Sequence, residues 1–511
     1  MSLDSSLPSR LAAVLPQGVD VLAYHLSTPP SPVNALFASL PGHEQENTFC
    51  ESHFLAVAAP KQDDRGEVLV FAIEILIFTT PSLTILFVSK ADSSGFSSRL
   101  NMPKGSPSAV AAISSTFIEF LLEPRLTKSR VVLSLFARAQ NQYLFPGSVE
   151  NVGKHVLNDH QLVKWWCRVL DKVLRVERLS TTSSAHLIVP GCDRAETKAF
   201  FPPSSRADPP SDPKWINSYP VDLMVVDTSK PPRQLIPHFP DDPKSRFLDD
   251  LDGDFIDDQG HWRSVRTLDH FWEMMSYRQE CSAGRLVGFV WLVFSSDEET
   301  QAALSDLKQD GEAAVSQELL VDSSVLTPMN SQLEENGISK PTIPLDLQSP
   351  PPSSPLQAVL TALPPIPDAA PPVPPVPTEI STSTATEKTK GEIVVDASQY
   401  QSVMDFLLQT DFAGDTLASE NSRAWVQKVL EFSQTTEFGR LVHGCDAQVS
   451  TQSNGSVNAS ASQVNVLTGI RKKRKADILE STTTQDESKA LDTVSAATTL
   501  SASLVRKKPK S

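Results

Sequence analysis

The run VLVFAIEILIFTTPSLTILFV, Val68 to Val88, constrains this chain most. As a helix it is long enough to cross a bilayer, which takes about 20 apolar residues. Glu74 interrupts it, however, and Thr79-Thr80-Pro81-Ser82 breaks it in two. Its residues are mostly β-branched or aromatic, types that suit a pleated sheet better than a helix. The reading is two buried strands joined by a turn, with no membrane span.

On either side the chain carries further periodic segments. TFCESHFLAVAAP, Thr48 to Pro60, reads as a strand. ADSSGFSSRLNMPKGSPS is a loop, and AVAAISSTFIEFLLEP, Ala109 to Pro124, is a helix with a proline stop. SRVVLSLFARAQ fits a strand or the start of a buried helix equally well. NDHQLVKWWCRVLDKVL opens with an N-cap at Asn158 or Asp159 and sets Leu162, Trp165, Trp166, Leu170 and Val173 near one helix face. Phe271 to Cys281 reads as a second helix, and Gly284 to Ser296 as a final strand.

Composition changes near Ser296, which divides the 511 residues into parts. The expected core is 1–300. Residues 301–392 are polar and then proline-rich, a disordered linker with polyproline character. Residues 393–445 hold two amphipathic helices, with Tyr400, Val403, Phe406 and Leu407 on one and Trp425, Val429 and Phe432 on the other. Two short helices rarely fold alone, so they are expected to pack back on the core. Residues 446–511 form a disordered basic tail.

Charge follows the same division. Ten Lys+Arg against six Asp+Glu leave 446–511 at +4, so the rest carries −20 of the chain's −16. An acidic body argues against direct DNA reading and suits a basic partner such as a histone, or simply solubility. RKKRK, Arg471 to Lys475, and RKKPK, Arg506 to Lys510, read as nuclear addresses. Five scattered cysteines without a CxxC pair indicate a reducing compartment and no zinc framework. The N-terminus lacks the basic end and apolar run of a signal peptide, so NGS at Asn454 and NAS at Asn458 carry no glycosylation meaning.

Three motif approaches fail on spacing. GSVENVGKH, Gly147 to His155, is one residue too long for a P-loop and puts His155 where a magnesium-binding hydroxyl belongs. DDLDGDFIDD, Asp249 to Asp258, misplaces the glycine of a calcium loop and lacks its closing glutamate, which leaves an acidic turn and no metal site. The Gln/Arg-x-x-Gly-x-Gly/Ala signature of the commonest acetyltransferase class has no clean match. PHFPDDPKSRF, Pro237 to Phe247, is a different case. Prolines stiffen it around two adjacent carboxylates, with Lys244 next to them. Either a solvated turn or a paired acid/base site would look like this.

LFVSKADSSGF (ending at Phe96), LFARAQNQYLFPGSVENVGKHVL (135–157), LVKWWCRVLD (162–171), FPDDPKSRF (239–247) and FWEMMSYRQECSAGRLVGF together resemble one family. It is the fungal histone acetyltransferases that modify lysines of histone H-three. The resemblance implies an α/β fold: a mixed central β-sheet surrounded by helices, similar to the CBP-type acetyltransferases. It implies acetyl-CoA as co-substrate, no metal, and dependence on two histone chaperones, one of the nucleosome-assembly type and one of the anti-silencing type. It also implies roles. Asp242 would accept the proton, Asp241 and Asp92 would support activity, and Lys244 would be a buried autoacetylated lysine. Tyr143 and Trp166 would line the lysine side. Acetyl-CoA would meet Ala91, Asp92, Ser93, the loop Leu100, Asn101, Met102, Pro103 and Lys104, then Phe136, Arg138, Gln140, His155, Val156, Leu157 and Trp165. The family carries a small alanine where Gln140 stands.

The chemistry agrees with such a set. Lysine must be neutral to attack a thioester, and its pKa near 10.4 makes deprotonation at pH 7 cost about 4 to 5 kcal/mol. A positioned carboxylate can take that proton. Acetylating Lys244 would remove a cation from the neighbourhood of two aspartates. The rival reading is a non-enzymatic acidic nuclear scaffold or chaperone. It predicts acidic runs in flexible segments, whereas these aspartates lie between prolines or at strand ends.

Overall fold

The computed structural model describes residues 6–446 except 41, 63–65, 127–129, 177–178, 180–181, 226, 255, 258, 280, 282–283 and 296–382. Both basic clusters, the tail and most of the expected linker therefore lie outside the described residues.

Strands β1 (Asp20–Ser27), β2 (Ser31–Val33), β3 (Thr48–Ala59), β4 (Val68–Thr79), β5 (Leu83–Ser93), β6 (Arg130–Arg138), β7 (Thr182–Ile188), β8 (Trp215–Ile216), β9 (Val287–Ser295), β10 (Ile393–Val394) and β11 (Arg440–His443) form one sheet. Its order is β10-β1-β3-β4-β5-β6-β9-β7-β8, with β11 also on β1 and β2 on β3. The pairs β1–β10, β5–β6 and β7–β8 are parallel and the others antiparallel, so the sheet is mixed. The long helices are α1 (Leu7–Val14), α2 (Ala109–Leu122), α3 (Asp159–Leu174), α4 (Pro243–Asp254), α5 (Leu268–Met275), α6 (Ala397–Gln409) and α7 (Asp415–Ser433).

The apolar run folds as the hairpin β4–β5. Thr80 makes its turn, donating its backbone N–H to the Leu83 carbonyl at 2.9 Å while its hydroxyl accepts from Leu83 N at 3.2 Å. The run is largely apolar on both sides of each strand because the sheet is covered on both faces. Leu86 and Val88 of β5 pack into one core with α2, α3, α6 and α7. Leu83, Ile85 and Phe87, one residue out of phase, pack into the other with Phe239, Phe247, Phe271 and Trp291.

Several boundaries differ from the sequence reading. SRVVLSLFARAQ resolves as strand β6. The second helix runs from Leu268 to Met275, because Thr267 caps it by accepting from His270 N at 3.2 Å and turns replace the helix after Ser276. Gly284–Ser296 is not the final strand: β9 lies mid-sheet between β6 and β7, and β10 and β11 follow it. A helix at Ser383–Thr389, ahead of β10, lies within the expected linker. Asp249–Asp254, read as an acidic turn, is the end of α4. The segments beyond the expected linker extend the sheet at β1. Beside the two added strands, Ser422 Oγ accepts from Leu69 N at 2.9 Å, and Trp425 meets Tyr24 and Phe54.

Candidate active site

The parallel ladder of β5 and β6 ends at Val88–Leu135, although both strands run on. A bulge at Ser89 turns β5 there, since Ile75 faces Val88 but Glu74 faces Lys90. The strands part, and a cavity of about 450 Å³ opens outside their carboxyl ends. Such ends are where open α/β sheets bind ligands. Its walls are Lys90–Ser93 of β5, Phe136, Arg138–Gln140, Tyr143, Lys154–Leu157, the start of α2 at Ser108, and Leu162, Trp165 and Trp166 of α3.

Asp92 fastens this wall together. Its Oδ2 accepts from the backbone N–H of Tyr143 at 2.8 Å and of Leu144 at 3.0 Å, and its Oδ1 accepts from Lys154 Nζ at 2.5 Å. Lys154 also donates to the Ser93 carbonyl and to Ser148 Oγ. GSVENVGKH is therefore the loop that closes the cavity. It approaches β5 backbone to backbone: a Cβ on Gly153 would stand 2.3 Å from the Gly95 carbonyl oxygen. Asn158 caps α3 in a reciprocal capping box with Gln161 and so fixes the tryptophan pair, stacked edge to face at 4.8 Å.

Asp241 and Asp242 have opposite surroundings. Asp242 is the N-cap of α4, ahead of Pro243. Its Oδ1 accepts from Lys244 N at 2.9 Å and its Oδ2 from the Lys244 ammonium. The pair is buried, with exposures of 0% and 1%, and the ammonium lies 4.7 Å from the Phe289 ring centre and 5.7 Å from that of Phe239. Burial lowers the pKa of Lys244, against the opposing pull of Asp242. Asp241 instead has a side chain 63% exposed, 3.7 Å from Lys90 Nζ. Its φ of 57° is the left-handed region, which aspartate tolerates better than most residues and which often marks functional sites. Burial works against the charge on Lys90, but Glu74, together with Tyr143 and Asp241, leaves its pKa raised. Burial raises the pKa of Tyr143, with Lys90 opposing.

The structure thus brings together Ala91, Asp92, Ser93, Phe136, Arg138, Gln140, Tyr143, His155, Val156, Leu157, Trp165 and Trp166. It does not bring Leu100–Lys104 to the cavity. Leu100 is buried in the core and Asn101 turns the chain away with φ 50°. Asp242 and Lys244 lie behind the wall. Lys90, Ser108 and Lys154 escaped the sequence reading. The signal for Ser108 was an N-cap residue ahead of an apolar helical run. Its helix start, the Arg138 guanidinium and His155 can meet an anionic ligand such as a pyrophosphate. Among the described residues no cluster of three His, Cys, Asp or Glu could hold a metal ion, and no helix is long and apolar enough to cross a membrane.

A family profile, the Histone acetyltransferase KAT11-type domain, matches residues 7–130 and 123–428. The chain belongs to the KAT11-type histone acetyltransferases. Within that family it is of the Rtt109 type. It is 39% identical to the histone acetyltransferase rtt109 of Aspergillus flavus over 523 residues, 93% of this chain and 90% of the relative. The histone acetyltransferase rtt109 of Schizosaccharomyces pombe is 34% identical over 242 residues, 45% of this chain and 58% of the relative. The crystal structure of Rtt109 from Aspergillus fumigatus superposes with a TM-score of 0.65 and 38% identity, covering 87% of this chain and all of that one. A KAT11-type domain implies acetyl-CoA as co-substrate and histones as substrate.

Proposed function

We propose that this KAT11-type enzyme transfers acetyl groups from acetyl-CoA to lysines of histone H-three in the nucleus. In this reading it works with histone chaperones of the nucleosome-assembly and anti-silencing types, in chromatin assembly and the response to DNA damage. The observation that carries the chemistry is the exposed Asp241 carboxylate beside a cavity wall rich in cations and tryptophan. Arg138, His155–Leu157, Trp165 and the Ala91–Ser93 edge take acetyl-CoA. Tyr143 and Trp166 take the acceptor lysine. Proton acceptance passes from Asp242 to its neighbour Asp241, because Asp242 has no exposure and is already bound to an ammonium.

The acceptor ammonium gives one proton to Asp241. Its neutral nitrogen attacks the thioester carbonyl carbon, a C–N bond forms and the C–S bond breaks. The amide nitrogen loses its second proton as the CoA thiolate gains one. Burial lowers the pKa of Lys244, so its ammonium gives up a proton more readily than an exposed lysine's, which supports self-acetylation at Lys244.

The test combines purified chain, labelled acetyl-CoA, the four core histones and each chaperone in turn. Label on histone H-three, rising with chaperone, is expected. Label mainly on other histones, or indifference to both chaperones, would overturn the specific reading.

A further inference from the structure

Glu74 sits in the most apolar strand of the sheet, 4% exposed, where a carboxylate is costly unless paired. Its Oε2 accepts from Lys90 Nζ at 2.7 Å, and its Oε1 accepts from the hydroxyl of Tyr400 at 2.9 Å. Tyr400 is fully within the core, on α6, beyond the linker. Lys90 in turn receives support from Ser89 Oγ at 3.0 Å and faces Asp241 at 3.7 Å. The Ser89 bulge is what aims Lys90 at this spot. Cys50, Tyr143 and, behind Tyr143, Arg138 are the other titratable groups around the set. An ion pair in such a place stabilises less than packed apolar side chains would. What it gains is a fixed ammonium beside an exposed carboxylate.

We propose that Lys90 is a positioning residue for acetyl transfer: Glu74, itself held by Tyr400, fixes the Lys90 ammonium, which fixes the Asp241 carboxylate toward the acceptor lysine. This rests on Asp241 as the proton acceptor. It makes the helices beyond the linker part of the support of the active site, through one phenol hydroxyl.

The experiment measures kcat and both KM values on the full chain for Lys90→Met, Lys90→Arg, Lys90→Met/Glu74→Gln, Tyr400→Phe and Asp241→Asn. Lys90→Met should lower kcat about 10²-fold, the scale of a misplaced catalytic group, with the acetyl-CoA KM within about threefold. Lys90→Arg should recover about tenfold of that loss, and Tyr400→Phe should lose about threefold, in kcat alone. The double variant leaves no unpaired buried carboxylate, so it folds even where Lys90→Met does not. A slow double variant sustains the proposal. A double variant at the wild-type kcat, with Asp241→Asn slow, overturns this proposal alone. Asp241→Asn at the wild-type kcat overturns the Asp241 reading and this proposal with it.

Discussion

Asp92 in the cavity wall and Asp241, which faces the wall residue Lys90, use the same two residue types, aspartate and lysine, in different ways. Asp92 accepts from two backbone N–H groups of the loop after β6 and from Lys154, so its oxygens are spent on holding that loop. Asp241 is mostly exposed and has only a long contact to Lys90. One carboxylate is built into the scaffold and the other is left able to accept. Asp242, next in sequence, stands with Asp92: buried, doubly engaged and tied to its own lysine. In the proposed mechanism, exposure and the number of donors, rather than residue type or motif position, separate structure from chemistry.

Asp242→Ala gives the largest expected effect. It leaves Lys244 buried without a counter-charge, which should cost about 3–5 kcal/mol in denaturant titration. A loss under about 1 kcal/mol would mean that Lys244 has found another partner, and Asp242 would no longer belong with Asp92.

Acid should act on the fold through buried histidines. Burial lowers the pKa of His186 to about 4, against Asp222, and burial with the neighbouring His53 lowers that of His25 as well. The unfolded chain, with histidines near 6.5, then binds more protons than the folded one. Stability should fall as pH drops from about 6.5 toward 4, by about 1.4 kcal/mol per pH unit for each such histidine. A flat melting temperature across that window would contradict it.

Asp92→Asn keeps the size but loses the charge that holds Lys154. The loop should loosen, and acetyl-CoA should bind about tenfold more weakly by calorimetry, about 1.4 kcal/mol. Unchanged binding would remove the distinction between wall and edge. Lys104→Ala marks the low end. It should leave the acetyl-CoA dissociation constant within about twofold, as for an ordinary surface change. A larger loss would return the 100–104 segment to the site.

Much of the frame was legible because local chemistry set it. The Thr-Pro-Ser break in an apolar run marks a hairpin, and Asn158 with Gln161 marks a helix start. DDPK was half legible: aspartate before proline also signals a helix N-cap, and that role removes Asp242 from the cavity. Strand order was not legible, since β9, which starts at Val287, slots between β6 and β7 through long-range pairing. Nor was the Glu74–Tyr400 bond, which joins residues 326 positions apart. Lys90 and Lys154 were passed over because a lone lysine in a motif has no periodic signal. Their roles depend on which carboxylate the fold brings to them.

The most direct test is the single-turnover rate of acetyl transfer by Asp241→Asn at saturating acetyl-CoA and histone. The expected result is a rate lower by about 10²-fold, the low end for loss of a general base, with acetyl-CoA affinity and melting temperature unchanged. A rate equal to wild type would contradict the assignment of the exposed carboxylate as proton acceptor.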